Sequence, residues 1–189
     1  MSWEPTALAT VAADELGADV AAVRVAGLLE DDEYHLTGVD VLLAAGMAIA
    51  AAFCAGLVQG VIDEIRQNTS KPTRPGDLTD WGHGTGAGLV RQLRRFSSRF
   101  IKRGESDSSE VVVADSENLK TEFSFLIATV RENLIDNQIA ISQIRVAAEG
   151  SKGEVRRILI DLGLQSGRAE ELAPRFTEAL ADEFIDGLQ

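Results

Sequence analysis

Only one cysteine, Cys54, occurs in this chain, so no intrachain disulfide can form and packing alone must hold the fold. Aromatic residues make up 5% of the sequence while hydrophobic residues make up 45%, so the core of a globular chain must be filled by Ala, Leu, Val and Ile. Bases are scarce. Eighteen Lys and Arg stand against 30 Asp and Glu, a formal net charge of −12, which argues against general nucleic-acid binding because phosphate contacts need concentrated cations. Met1-Ser2-Trp3-Glu4-Pro5 lacks the basic start and early apolar stretch of a secretory signal, so no cleaved leader is expected.

Catalytic and ligand-binding signatures are also missing. There are two histidines, His35 and His83, each three residues after an aspartate (Asp32 and Asp80). Such Asp-x-x-His pairs offer two metal ligands from one turn, but both fall in loop-like sequence and no metal site is expected from them. Gly82-His83-Gly84-Thr85-Gly86-Ala87-Gly88 resembles neither a Walker A loop, whose Gly-Lys-Ser/Thr ending is absent, nor a dinucleotide fingerprint. No Gly-x-Ser-x-Gly elbow is present. Cys54 sits among apolar neighbours, where a thiol stays protonated and inert. Glu132 and Asp136, one turn apart, have the spacing of a solvated face. The expectation is a non-enzymatic protein without metal or cofactor.

The most informative absence is of charge: none occurs from Val41 to Ile62. This run is as long as a membrane span. Within it Ala44, Ala48, Ala52, Gly56 and Gly60 recur at every fourth position, placing small side chains on one helical stripe, and Ile49, Phe53, Leu57 and Val61 form an adjacent large row. A small-residue stripe lets another backbone approach closely, as in Gly-xxx-Gly helix pairs. The run is therefore either a membrane helix or the fully buried central helix of a soluble bundle. Its Ala and Gly content, with Gln59, makes solitary insertion marginal.

Charge is unevenly placed around the run. Residues 1–40 carry nine acids and one base, 63–103 four acids and nine bases, and 104–189 seventeen acids and eight bases. Bases following a span place its C-terminal side in the cytoplasm. Residues 89–103 read as an amphipathic basic helix. Leu89, Leu93, Phe96 and Phe100 lie on one face, and Arg91, Arg94, Arg95, Arg99, Lys102 and Arg103 are uninterrupted by any acid. Arg91, Arg94, Arg95, Phe96, Arg99, Phe100, Lys102 and Arg103 are the candidate set for binding anionic lipid or an acidic partner surface.

The remaining periodicity predicts an all-α protein, a helical bundle around a long central apolar helix, with helices near 5–17, 19–29, 37–66, 87–103, 117–149, 153–163 and 167–187. Residues 19–37 also fit a small β-hairpin turning at Glu30-Asp31-Asp32-Glu33. Residues 1–103 hold the apolar and basic helices, 104–116 form a polar linker, and 117–189 form a C-terminal three-helix region. In that region Phe123, Leu126, Ile127, Val130, Leu134, Ile141 and Ile144 share one face, with Asn137 on the same seam. Leu172, Phe176, Leu180 and Phe184 follow at i, i+4 spacing.

The leading expectation is a membrane-associated helical assembly protein that self-associates through the stripe as a homo-oligomer, in its sharper form a pore-forming or membrane-disrupting protein with a cytoplasmic C-terminal part. Its partners are itself, another protein or an anionic membrane surface. The alternative is a soluble cytoplasmic adaptor or scaffold whose apolar helix is its core.

Overall fold

A computed structural model describes residues 19–31, 39–68, 86–99 and 116–189. Seven α-helices run through them, named here in chain order: α1 Val20–Asp31, α2 Val39–Asn68, α3 Gly86–Arg99, α4 Ser116–Asp136, α5 Ile141–Gly150, α6 Lys152–Asp161 and α7 Ser166–Asp186. No strand occurs among the described residues. The expected helix at 5–17, the loop around His83 and the polar linker up to residue 115 lie outside them, and so does the return arm of the hairpin at Tyr34 to Thr37.

The hairpin reading is corrected at its first arm, which is helix α1. Ala21, Ala22, Val25, Ala26 and Leu29 are all at most 2% exposed, a helical spacing that turns one face onto α2. Asp19 starts the helix: its Oδ1 accepts the Ala21 backbone N–H at 2.9 Å, the geometry of an N-cap carboxylate.

α2 is the axle of the molecule. Each of the six other described helices packs against it, and from Ala48 to Val58 every apolar side chain is 0% exposed. Gln59, the polar residue inside the uncharged run, is not in this core. It sits at the boundary and its Nε2 donates to Asp63 Oδ1 at 3.0 Å. The helix can therefore be apolar all round because it has no solvent face until Asp63.

The expected helix at 117–149 is two helices, so the C-terminal region has four rather than three. The break lies at Gln138, which adopts a left-handed φ of 51°. The Gln138 N–H donates to the Ile135 carbonyl at 2.9 Å and the Ile139 N–H to the Leu134 carbonyl at 3.0 Å, the paired bonds of a Schellman stop. Asn137 belongs to this stop and not to a helix seam: its Nδ2 donates to the Asn133 carbonyl at 2.8 Å. The same stop closes α6, where Gly163 has φ 105° and the Leu164 N–H reaches the Leu159 carbonyl at 3.0 Å. Periodicity across 117–149 concealed the first stop because the left-handed position is filled by glutamine, not glycine. Of the seven residues assigned to one face there, Ile141 is 43% exposed and the rest are buried.

α5 and α6 meet at Ser151, which serves as the C-cap of one and the N-cap of the other. Ser151 keeps helical dihedrals (φ −79°, ψ −9°), and its buried hydroxyl donates to the Ala148 carbonyl at 2.6 Å. α7 crosses Pro174 without ending. The loss of one backbone bond there is outweighed by burial of Leu172, Phe176, Leu180 and Phe184, each at most 2% exposed. The C-terminal helices do not stand apart: α4, α5, α6 and α7 all pack on α2.

Candidate functional site

The stripe on α2 faces the chain's own helices. Ala44, Ala48 and Ala52 are at most 1% exposed. A Cβ added at Gly56 would lie 2.6 Å from Ser151 Cβ and 2.8 Å from Ser151 Cα. One added at Gly60 would lie 2.9 Å from Ala147 Cβ and 3.0 Å from its Cα. Ala147 and Ser151 are themselves one turn apart, so two small-residue rows interlock in antiparallel sense across the α5–α6 junction. The junction at Ser151 thus sits against Gly56 of α2.

A second close approach was not read from the stripe. Gly46 lies on a different row, and a Cβ there would be 2.4 Å from the Ala22 carbonyl oxygen and 3.2 Å from the Ala26 nitrogen of α1. The signal is present on both sides, in Gly46 and in the Ala22/Ala26 pair at i, i+4, but a single glycine on its own row forms no stripe.

Ion pairs tie the covering helices to one another. Asp19 Oδ2 accepts from Arg131 Nη1 at 3.1 Å, linking the start of α1 to α4, and Arg24 pairs with Glu183 at 3.2 Å, linking α1 to α7. The Arg131 guanidinium also lies 5.1 Å from the Phe184 ring centroid, a cation–π contact, and Phe184 packs on Phe53 of α2 at 5.8 Å. Cys54 lies beneath this cluster, fully buried. Burial pushes its thiol well above the ordinary value, the Asp19 charge adds to the rise, and Arg131 opposes it in part. A protonated, fully buried thiol of this kind is a poor nucleophile and a poor metal ligand.

The basic helix divides into two faces. Leu89, Val90, Leu93, Phe96 and Ser97 are buried, with Phe96 against Phe123 at 5.8 Å between ring centroids. Phe96 is therefore a core residue, and its place in the lipid- or partner-binding set is corrected: the apolar side of the amphipathic pattern is spent inside the molecule. Arg91, Arg94, Arg95 and Arg99 are exposed. Arg94 pairs with Glu154 of α6 at 3.1 Å, and Arg99 pairs with Glu122 of α4. Phe100, Lys102 and Arg103 lie outside the described residues, as do His35 and His83 with their aspartates. Among the described residues no group of three His, Cys, Asp or Glu is placed to hold a metal ion.

Compared with protein-family models, curated proteins and solved structures, the chain matches none.

Proposed function

We propose that this protein is a soluble, non-enzymatic helical adaptor or scaffold in the cytoplasm, and that α2 is its structural core. The observation that carries this reading is the cover on α2: the stretch long and apolar enough to cross a membrane, Val41–Gln67, is 94% buried over its most apolar window by the chain's own helices. Lipid would replace contacts that are already made. Small residues at Gly46, Gly56 and Gly60 then serve internal helix packing, and self-association through the stripe has no part in the function. What the protein offers to others is its outer surface, where the exposed arginines of α3 stand out against an acidic chain.

The second reading keeps α2 as a membrane helix, possible by its length and composition, with the basic segment after it placing the C-terminal part in the cytoplasm. It requires six helices to leave α2, exposing its apolar surface together with theirs. Expression of the full chain separates the two. The adaptor reading expects a detergent-free soluble monomer that stays in the supernatant with vesicles of phosphatidylcholine and phosphatidylserine. A carbonate-resistant membrane pellet overturns it in favour of the insertion reading.

A further inference from the structure

We infer that the crest of α3, together with Phe125 of α4, docks an acidic amphipathic helix of a partner protein. The inference rests on the adaptor reading and names the chemistry of the partner. At about 100° per residue, Arg91, Arg95 and Ser98 fall on the outward ridge of α3, directly opposite the buried Leu89, Leu93 and Phe96. Arg94 lies on one flank of that ridge and Arg99 on the other.

The flanks are already neutralised. Arg94 is held by Glu154 of α6 and Arg99 by Glu122 of α4. The crest is not: Arg91 and Arg95 make no ion pair among the described residues, in a chain whose 30 acids outnumber its 18 bases. Two guanidinium groups one turn apart match carboxylates spaced i, i+4 on a facing helix, and each planar fork can take a carboxylate through two parallel N–H donors.

An exposed apolar side chain stands on α4, the helix that holds the Arg99 flank of the ridge. Phe125 is 66% exposed, more than any other large hydrophobic side chain described. It follows Glu122, the partner of Arg99, by one turn of α4 and roughly 60° of arc. Exposed arginines and an exposed aromatic on neighbouring helices share the composition of interface hot spots, which asks for a partner with both carboxylates and an apolar residue.

Two other occupants fit less well. A helix lying on anionic lipid must bury its apolar face in the bilayer, and that face of α3 is inside the protein. Nucleic acid would meet a molecule of net charge −12, with Glu122 and Glu154 at the edges of the basic ridge.

The test titrates the full-length chain against a labelled synthetic helical peptide carrying glutamates at i, i+4 and leucines along the adjoining row, read by fluorescence anisotropy. Saturable binding is expected. It should weaken about tenfold or more with Arg91→Glu plus Arg95→Glu, and several-fold with Phe125→Ser, as for hot-spot truncation. Arg175→Glu, which removes an exposed arginine of α7, should leave binding unchanged. All these sites are exposed, and thermal melts check that each variant folds. Absent binding, equal binding by the double variant, or capture of phosphatidylserine vesicles or duplex DNA through the same arginines in place of the peptide overturns the inference. Failure is distinguishable from failure of the adaptor reading: a soluble chain that ignores the peptide defeats the docking site alone, whereas a chain that pellets with membranes defeats the reading beneath it.

Discussion

Replacing glycine by alanine should have opposite signs at different helical positions of this molecule, and the sign reports what covers α2. At Gly153 of α6 nothing lies within 4 Å of an added Cβ, so only backbone entropy changes, and Gly153→Ala should stabilise the protein by about 0.5–1 kcal/mol. At Gly46 the new carbon would sit 2.4 Å from the Ala22 carbonyl oxygen. An ordinary C···O contact is about 3.3 Å, so the α1 and α2 backbones must separate by about 0.9 Å. At Gly56 the obstacle is Ser151 Cβ at 2.6 Å, where carbon atoms normally meet at about 3.5–4.0 Å, a shift of about 1 Å. Overpacking of this kind costs about 1–3 kcal/mol and outweighs the same entropic gain, leaving Gly46→Ala and Gly56→Ala about 1–2 kcal/mol less stable than the parent. Urea unfolding followed by circular dichroism reads all three, with melting shifts of about 2–4 °C per kcal/mol. If Gly46→Ala and Gly56→Ala stabilise as Gly153→Ala does, the helices do not touch where described and the internal cover on α2 is wrong.

Two further outcomes follow from the local geometry. Gln138 holds a left-handed conformation that glycine adopts without penalty, so Gln138→Gly should raise stability by about 1 kcal/mol in the same urea assay; a loss would mean that contacts of the glutamine side chain outweigh the strain. Cys54 has its thiol pKa raised in the folded state, so the folded chain keeps a proton that the unfolded chain releases. That contribution is whole below the ordinary thiol value of about 8.5 and is lost as pH rises past it. The stability difference between the parent and Cys54→Ala should therefore shrink above that pH, and a difference independent of pH refutes the burial argument.

Much of the helical content is legible in the chain because it is set by local spacing. The row Leu172, Phe176, Leu180 and Phe184 specifies α7 strongly enough that the helix continues through Pro174. Leu89, Leu93 and Phe96 specify the inner face of α3 in the same way. The failures have local causes as well. The stop at Gln138 depends on a left-handed conformation imposed on a residue that does not advertise it. The Ala-rich composition of 19–29 favours the helix that is found, but a short Ala- and Val-rich segment also satisfies the strand period, and burial against α2 is what excludes the hairpin. The spacing of Phe96 fits a lipid- or partner-facing side as well as a core one, because amphipathicity reveals that a helix has an apolar side, not what that side meets.

The sequence by itself determined that 41–62 forms a helix without a solvent face and that its small residues seek a close neighbour. Both follow from composition and from the 3.6-residue period, which act within one segment. Only the tertiary structure decided that the neighbours at Gly46, Gly56 and Gly60 are Ala22, Ser151 and Ala147 of the same chain. A stripe of small residues is equally complementary to lipid-embedded helices, to a second copy and to its own distant segments. Choosing among them depends on whether residues about a hundred positions away can reach it, and that is a property of the whole fold.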